Sequence, residues 1–328
     1  MNNFADKIRV IIVNWNGRKY ISKCLDSLRK QVYKEFSITL VDNGSDDGSV
    51  EYIRWNYPEV KIISLHKNYG FAYANNIAIK EGGAEFIALL NNDAVADPLW
   101  LYALKEEMDK NPEAGFAASK MLFYHDKNII DRAGDAYTAS ASGFLTGRGE
   151  SADKYISKEW IFGACAGAAI YRAGMFDVVG LFDEDFFLVY EDVDLSFRAQ
   201  LLGYRCLYVP NAIVYHMAGR SIGYNSPVSV YFGHRNLEWV WIHNMPASLI
   251  KKIFLPHCLY VAAAFFYFAA AGRMMEYLKA KLDAVKGLPA ALKKRRRIQG
   301  EKITDDEYIF SLFQKELWPV RFMRHLKK

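Results

Sequence analysis

The chain has 328 residues, 52% of them hydrophobic and 24% charged, with a net charge of +5. That composition supports one large core or two smaller ones and excludes wholesale disorder. The charge is concentrated, with nine basic and two acidic residues between Arg273 and Gly300; the remainder is slightly acidic, which excludes a uniformly basic face for nucleic acid.

In chain order, "RVIIVNW" (9–15) reads as a buried strand and "SKCLDSLRKQV" (22–32) as a helix with Leu25, Leu28 and Val32 on one face. "SITLVDNGS" (37–45) and "VKIISL" (60–65) are the next strands, "FAYANNIAIKEG" (71–82) is a helix stopped by glycine, and "FIALLNND" (86–93) is a fourth strand. Strands alternating with helices imply βαβ units and a mostly parallel sheet. Ligands of such sheets bind at the carboxyl ends of the strands, and here those exits are "NWNG", "DNGSDDGS", "HKNYG" and "NND". Asn, Asp and Gly also make ordinary turns, so it is the convergence of four such loops on one edge that marks a site.

Beyond residue 115 the alternation loosens. "GDAYTASASGFLTGRGESADK" (134–154) reads as a mobile loop that closes over substrates, "WIFGACAGAAIYRAGMF" (160–176) as a small-residue loop and a strand, and "RCLYVPNAIVYH" (205–216) as a further strand. From Leu249 the character changes. "LIKKIFLPHCLYVAAAFFYFAAAG" (249–272) is interrupted by Lys251, Lys252, Pro256 and His257, leaving Cys258 to Gly272 as an unbroken apolar run, short of the roughly 20 residues of a membrane span. Followed by "KKRRR", it suits helices lying in the interface of an anionic membrane; a buried core helix with a solvated basic tail is the alternative. The polar start "MNNFADK" and cysteines without C-x-x-C spacing (Cys24, Cys165, Cys206, Cys258) favour a cytoplasmic setting without disulfides or zinc.

The chemistry concentrates in a few places. "FFLVYEDVDLSFRAQLLGY" (186–204) packs Glu191, Asp192 and Asp194 into four positions beside apolar residues, which raises carboxyl pKa values and suits a general base. The same carboxylates can also cap a helix running to Leu202, with Asp194 pairing Arg198 at i+4. "NND" (91–93) offers Asp93 at a strand end, sufficient with diphosphate oxygens for Mg²⁺ or Mn²⁺, and His216 offers a nitrogen ligand better matched to Mn²⁺, although a lone histidine is more often structural. "GRSIG" (219–223) has the form of a hydrolase nucleophile elbow with Ser221, but Pro227 stands where a helix should follow.

Taken in order, "VNWNG", "VDNGSDDGS", "NYGFAYANNIAI", "LLNND", "GLFDEDFFLVYEDVDLSFRAQLLGY" and "VYHMAGRS" resemble the family 2 glycosyltransferases of the GT-A fold, in their bacterial rhamnosyltransferase-like branch, over roughly residues 8 to 245. The resemblance implies a GT-A catalytic domain over residues 1–225, with a nucleotide-sugar half to about 115 and an acceptor half beyond it, and a helical region over 226–328 whose segment from about 249 to 300 lies on the membrane. It assigns Asn14, Asp42, Asn43, Asn68, Asn91, Asn92 and Asp93 to the nucleotide sugar, Asp93 and His216 to a divalent metal, and Asp192, with Glu191 beside it, to the catalytic base. Asn43 stands where the family's base-contacting pair has a second acid, and Asn91 where its D-x-D metal motif often begins. The implied protein is an inverting enzyme on the inner face of the plasma membrane, moving a sugar, by resemblance rhamnose from dTDP-rhamnose, to a glycan or lipid-linked glycan hydroxyl. The alternatives are a Ser221 esterase and a non-catalytic nucleotide-sugar or polysaccharide binder.

Overall fold

The structure, a computed structural model, describes residues 6–217 and 225–314. Its first half runs β1 (Asp6–Asn14), α1 (Ile21–Arg29), β2 (Phe36–Asp42), α2 (Ser49–Asn56), β3 (Lys61–Ser64), α3 (Phe71–Ile79), β4 (Ala84–Leu90), β5 (Ala94–Ala96) and α4 (Trp100–Lys110). There follow β6 (Ala114–Phe123), β7 (Asp126–Ala133), β8 (Asp135–Thr138), β9 (Gly143–Leu145), β10 (Glu159–Ile161), β11 (Ala168–Arg172), α5 (Ala173–Val179), a 3₁₀ turn (Glu184–Phe186), α6 (Glu191–Leu201) and β12 (Arg205–His216). The rest is helical apart from one short strand: α7 (Pro227–Asn244), α8 (Ala247–Ala270), α9 (Met274–Lys286), α10 (Leu288–Glu301), α11 (Asp306–Ser311) and β13 (Phe313–Gln314).

The main sheet has the order β10-β12-β6-β11-β4-β1-β2-β3, with β5 paired to β12 and β7 to β6. Strands β3, β2, β1 and β4 are parallel, and β11 enters antiparallel beside β4, so the sheet is mixed. Its inner strands are apolar on both faces: Ile8, Val10 and Ile12 of β1 join one core cluster with Phe86, Ala88 and Leu90 of β4, while Ile11, Ile87 and Leu89 join the other. This two-sided burial is why these strands read as continuous apolar runs.

Register fixes the site edge. Asn14 pairs with Asp42 and Asp42 with Ser64, so three strands end level. At the other flank Ala94 of β5 pairs with His216, which carries the end of β12 to the "NND" loop.

Several expectations change. Residues 134–154 are not a mobile loop: β8 and β9 form a small sheet with β13, and the hydroxyls of Thr138, Ser140 and Ser142 lie within 3.4 Å of one another. The Gly143 N–H donates to the Tyr190 hydroxyl at 3.0 Å, tying this segment to the start of α6. The Ser, Thr and Gly content that suggested mobility serves turn hydrogen bonds instead. Helix α1 ends at Arg29, so Val32 lies beyond it and is exposed. Pro227 opens α7 at its first turn, with the Ser226 hydroxyl accepting from the Ser229 N–H (3.1 Å), because proline there gives up an N–H that has no helical partner anyway.

The interrupted apolar stretch is one 24-residue helix running through Pro256. By length and composition alone α8 is able to cross a membrane, at about 36 Å for 1.5 Å per residue. The basic run on α10 is divided. Lys294 pairs with Asp183 and Asp185, and Arg295 donates to the Ile242 and Met245 carbonyls, leaving Lys293, Arg296 and Arg297 exposed.

Candidate active site

The first group of site residues is a closed amide and carboxylate network. Asn14, fully buried at the end of β1, donates through Nδ2 to Asp42 Oδ1 (3.1 Å), Ser45 Oγ (3.2 Å) and Ser49 Oγ (2.9 Å), and its Oδ1 accepts from Asn92 Nδ2 (3.0 Å). Asp42 also accepts from the Ser45 N–H (3.0 Å) and hydroxyl (2.6 Å). Next to it, Asn43 donates to Asn68 Oδ1 (3.0 Å) and to the Gly70 carbonyl (3.2 Å) and accepts from the Tyr69 N–H (2.9 Å). The structure therefore joins Asn14, Asp42 and Asn92 directly and Asn43 and Asn68 beside them. A buried polar network with its partners satisfied holds its loops rigidly.

The second group is a buried carboxylate–imidazole–carboxylate row. His216 Nε2 lies 3.2 Å from Asp93 Oδ1, and Nδ1 lies 2.8 Å from Asp131 Oδ2. Asp93 is 3% exposed and Asp131 is fully buried. Burial acts to lower the His216 pKa, but hydrogen bonds and charge from Asp131 and Asp93 outweigh it and raise the imidazole to about 9. Burial alone would raise Asp131; His216, Arg132 and Arg148 hold it below the usual carboxylate range instead. Asp131 was not foreseen. It lies in β7 where the β6 register slips, Met121 facing Arg132 and Leu122 facing Ile130, so that it is the extra residue of a bulge. Bulges re-aim a side chain. The only signal was a lone acid in the apolar run "NIIDRA".

The third group opens α6, and its three carboxylates have three fates. Asp194 is structural: it accepts from Arg198 Nε (2.8 Å) and Asn244 Nδ2 (2.7 Å), and is held strongly ionised by Arg198 and His243 against the effect of burial. Asp192 is partly exposed; its Oδ2 accepts from the Ala166 N–H (3.2 Å) and its Oδ1 from the Val193 N–H (2.9 Å). Glu191 is 6% exposed with no hydrogen bond to its Oε2, and burial together with the neighbouring Asp192 charge pushes it well above the ordinary value.

A two-residue bridge links this group to the "NND" loop. Ala166 binds Asp192, and the carbonyl of the next residue, Gly167, accepts from the Asn91 N–H (2.9 Å). A Cβ on Gly167 would come within 2.9 Å of Asn91 Nδ2, so the small-residue loop permits this close approach. Beneath the bridge, ligand-type atoms of Asp135, Cys165 and Asp192 lie within 4.8 Å of one another. Asp135 already faces Arg132 Nη1 at 3.3 Å, and burial, opposed by Arg132 and reinforced by Asp192 and Asp131, lifts it to about 7. Ser221 and the rest of "GRSIG" lie outside the described residues.

A mixed sheet of this order, with polar loops converging at its carboxyl edge and a carboxylate-rich helix facing them, is the architecture of a nucleotide-sugar transferase of the GT-A type. The profile of the family "Glycosyl transferase family 2" matches residues 9–180, and the chain belongs to that family of glycosyltransferases. It is similar to the N-acetylglucosaminyl-diphospho-decaprenol L-rhamnosyltransferase of Mycobacterium tuberculosis, 25% identical over 73% of this chain and 84% of the relative. It is also similar to the poly-beta-1,6-N-acetyl-D-glucosamine synthase of Staphylococcus epidermidis, 24% identical over 67% of this chain and 52% of the relative. Among solved structures, S. aureus TarS 1-349 in complex with UDP superposes with a TM-score of 0.56 at 19% identity, covering 90% of this chain and 86% of TarS. The mannosyltransferase PcManGT from Pyrobaculum calidifontis, in complex with GDP-Man and Mn2+, gives 0.56 at 16% identity, covering 90% of this chain and 85% of its own.

Proposed function

We propose that the protein is an inverting, metal-dependent transferase that moves a sugar from a nucleoside diphosphate to an acceptor hydroxyl in one displacement. The acceptor hydroxyl gives its proton to Asp192, its oxygen bonds to the anomeric carbon, and the bond from that carbon to the diphosphate breaks on the opposite face. The observation that carries the proposal is the Ala166–Gly167 bridge, which ties the Asp192 carboxylate to the loop bearing Asn91, Asn92 and Asp93. A base and a leaving-group site must flank one carbon, and two loops joined through adjacent residues suit that need. Burial and the neighbouring Asp192 charge push the Glu191 carboxyl well above its ordinary value.

A divalent metal fits the residues present. Asp93 and His216 offer one oxygen and one nitrogen 3.2 Å apart, and Asp131, 2.8 Å from Nδ1, fixes the orientation of the imidazole, as a carboxylate behind a ligating histidine usually does. Asp93 and His216 would hold Mn²⁺ or Mg²⁺, which when bound neutralises charge on the departing diphosphate. The Mn2+ of the PcManGT structure supports this choice of cofactor. Asn14, Asp42, Asn43, Asn68 and Asn92 shape the loops that receive the nucleotide.

The donor we propose is dTDP-rhamnose and the acceptor a lipid-linked glycan of cell-surface polysaccharide synthesis; the mycobacterial relative, an L-rhamnosyltransferase with a diphospho-decaprenol acceptor, supports the sugar and the lipid-linked acceptor. Residues 1–225 form the catalytic domain in this proposal. Residues 226–328 hold it peripherally on the cytoplasmic face of an anionic membrane. Exposed Phe254, Leu255, Leu259 and Phe266 of α8 and exposed Lys293, Arg296 and Arg297 of α10 support that placement. Release of nucleoside diphosphate from dTDP-, UDP- and GDP-sugars, with Mn²⁺, Mg²⁺ or EDTA, tests the function. Metal-dependent release from one donor, lost in Asp93→Ala, is expected; no donor released or bound would refute it.

A further inference from the structure

Three of the five residues leading into α6 are held in an unfavourable backbone conformation. Phe187, Val189 and Tyr190, none of them glycine, have φ of 64°, 65° and 74°. At Phe187, with ψ of −61°, the chain makes a tight turn closed by the Leu188 N–H on the Phe186 carbonyl at 2.7 Å. This is the rare, strained form of the three-residue turn, and left-handed φ values at branched and aromatic residues are costly. Such conformations persist only where their surroundings over-determine them.

Much of that determination comes from α7, outside the proposed catalytic domain. Asn236, fully buried, directs its single amide group at three carbonyls, Phe186 (2.9 Å), Leu188 (2.9 Å) and Val189 (2.7 Å). Arg235 donates to the carbonyls of Asp185 (2.7 Å) and Phe186 (3.1 Å), with its guanidinium 4.2 Å from the Trp239 ring centroid and 4.8 Å from that of Phe232. Phe232 in turn stacks on Phe187 at 5.1 Å. The remaining carbonyls are engaged as well: Phe187 accepts from the Phe71 N–H at the start of α3 (2.6 Å), and Tyr190 from the Asp194 N–H inside α6 (2.9 Å). A Cβ at Gly70 would lie 2.5 Å from the Phe187 carbonyl oxygen, so the donor-side loop must carry glycine where it meets this turn.

We infer that Asn236, assisted by Arg235, is a positioning residue for the reaction: it holds residues 186–190 in their strained path and so fixes where α6 starts and where Asp192 is presented, an inference that rests on Asp192 being the base. Neither side chain is placed against the substrate. They act through the loop.

The test compares Asn236→Ala, Asp192→Asn, Val189→Gly and the double variant N236A/V189G. Two readouts are taken: amide hydrogen exchange across residues 186–193, and turnover of dTDP-rhamnose with N-acetylglucosaminyl-diphospho-polyprenol. Asn236→Ala should speed exchange in 186–193 at least tenfold, leave β1 to β4 unchanged, keep donor affinity, and lower kcat about 100-fold, the scale of a misplaced catalytic group. Glycine takes positive φ without cost, so Val189→Gly in the Asn236→Ala background should restore kcat at least fivefold. A merely structural role for Asn236 in packing α7 would give no such rescue. Should Asn236→Ala fail to fold, Arg235→Ala carries the same exchange and kcat comparison with a smaller expected loss, about tenfold. Exchange in 186–193 within twofold of wild type, equal acceleration in β1 to β4, or loss of donor affinity in step with kcat would overturn the inference. Turnover surviving in Asp192→Asn would instead refute the assignment of the base, a separate outcome.

Discussion

The two sides of the candidate site are made rigid by opposite means. On the side of the parallel strands, Asn14, Asp42 and Asn92 hydrogen-bond to one another, as Asn43 does to Asn68, each at or beyond the carboxyl end of one of the strands β1 to β4. On the α6 side, Glu191 keeps a buried oxygen without a hydrogen bond, Asp135 is pushed to about 7, and the chain enters the helix through three left-handed non-glycine residues. A binding surface is well served by saturated hydrogen bonding, whereas a proton acceptor needs a carboxylate whose surroundings leave it reactive, and the resulting strain must be held from elsewhere.

The largest effect should come from the α6 side. Asp192→Asn is expected to lower kcat by roughly 10²–10⁴-fold, the usual span for a lost general base, with donor affinity intact by calorimetry. An equal loss of donor affinity would mean that the two sides are not separable.

Asp131→Asn comes next. Asp131 anchors the His216 imidazole at Nδ1, opposite the nitrogen that faces Asp93, so Mn²⁺ affinity measured by electron paramagnetic resonance should fall about 10–100-fold. Unchanged affinity would remove Asp131 from the proposed metal site.

The saturated side is tested by Asn14→Ala. It leaves the Asn92 amide and part of Asp42 without their partner, and a loss of about 1–3 kcal/mol of stability is expected in denaturant titration, with Asp192 chemistry altered far less.

The smallest effect concerns pH. His216 has a folded-state pKa of about 9, above its unfolded value near 6.5, so its contribution to the stability of metal-free protein is complete below about 6.5 and disappears as pH rises through about 9. Thermal melts in EDTA between pH 6 and 10 should show that decline in wild type and not in His216→Gln.

The half of the candidate site on parallel strands was legible in the sequence because its signals are local. A strand period followed by Asn, Asp and Gly names both the element and its exit, and Asn14, Asp42 and Asn92 lie where those exits predicted. The α6 carboxylates were legible as a cluster, but not their division: Asp194 is claimed by Arg198 at i+4 and by Asn244, fifty residues on, and no sequence pattern announces the second partner. Asp131 was hidden because a bulge, a pairing property of two strands, aims it at His216. Asn236 escapes a reading of the sequence because its partners are backbone carbonyls that carry no residue signature. Residues 134–154 misled for a related reason, their partner strand β13 lying at the far end of the chain.

The most direct test is calorimetric titration of dTDP into wild type, Asp93→Ala and Asp192→Asn, each with Mn²⁺ and with EDTA. The account predicts metal-enhanced binding in wild type and Asp192→Asn, and binding indifferent to metal in Asp93→Ala. Equal enhancement by Mn²⁺ in Asp93→Ala would contradict it, because the metal would then be held by other residues.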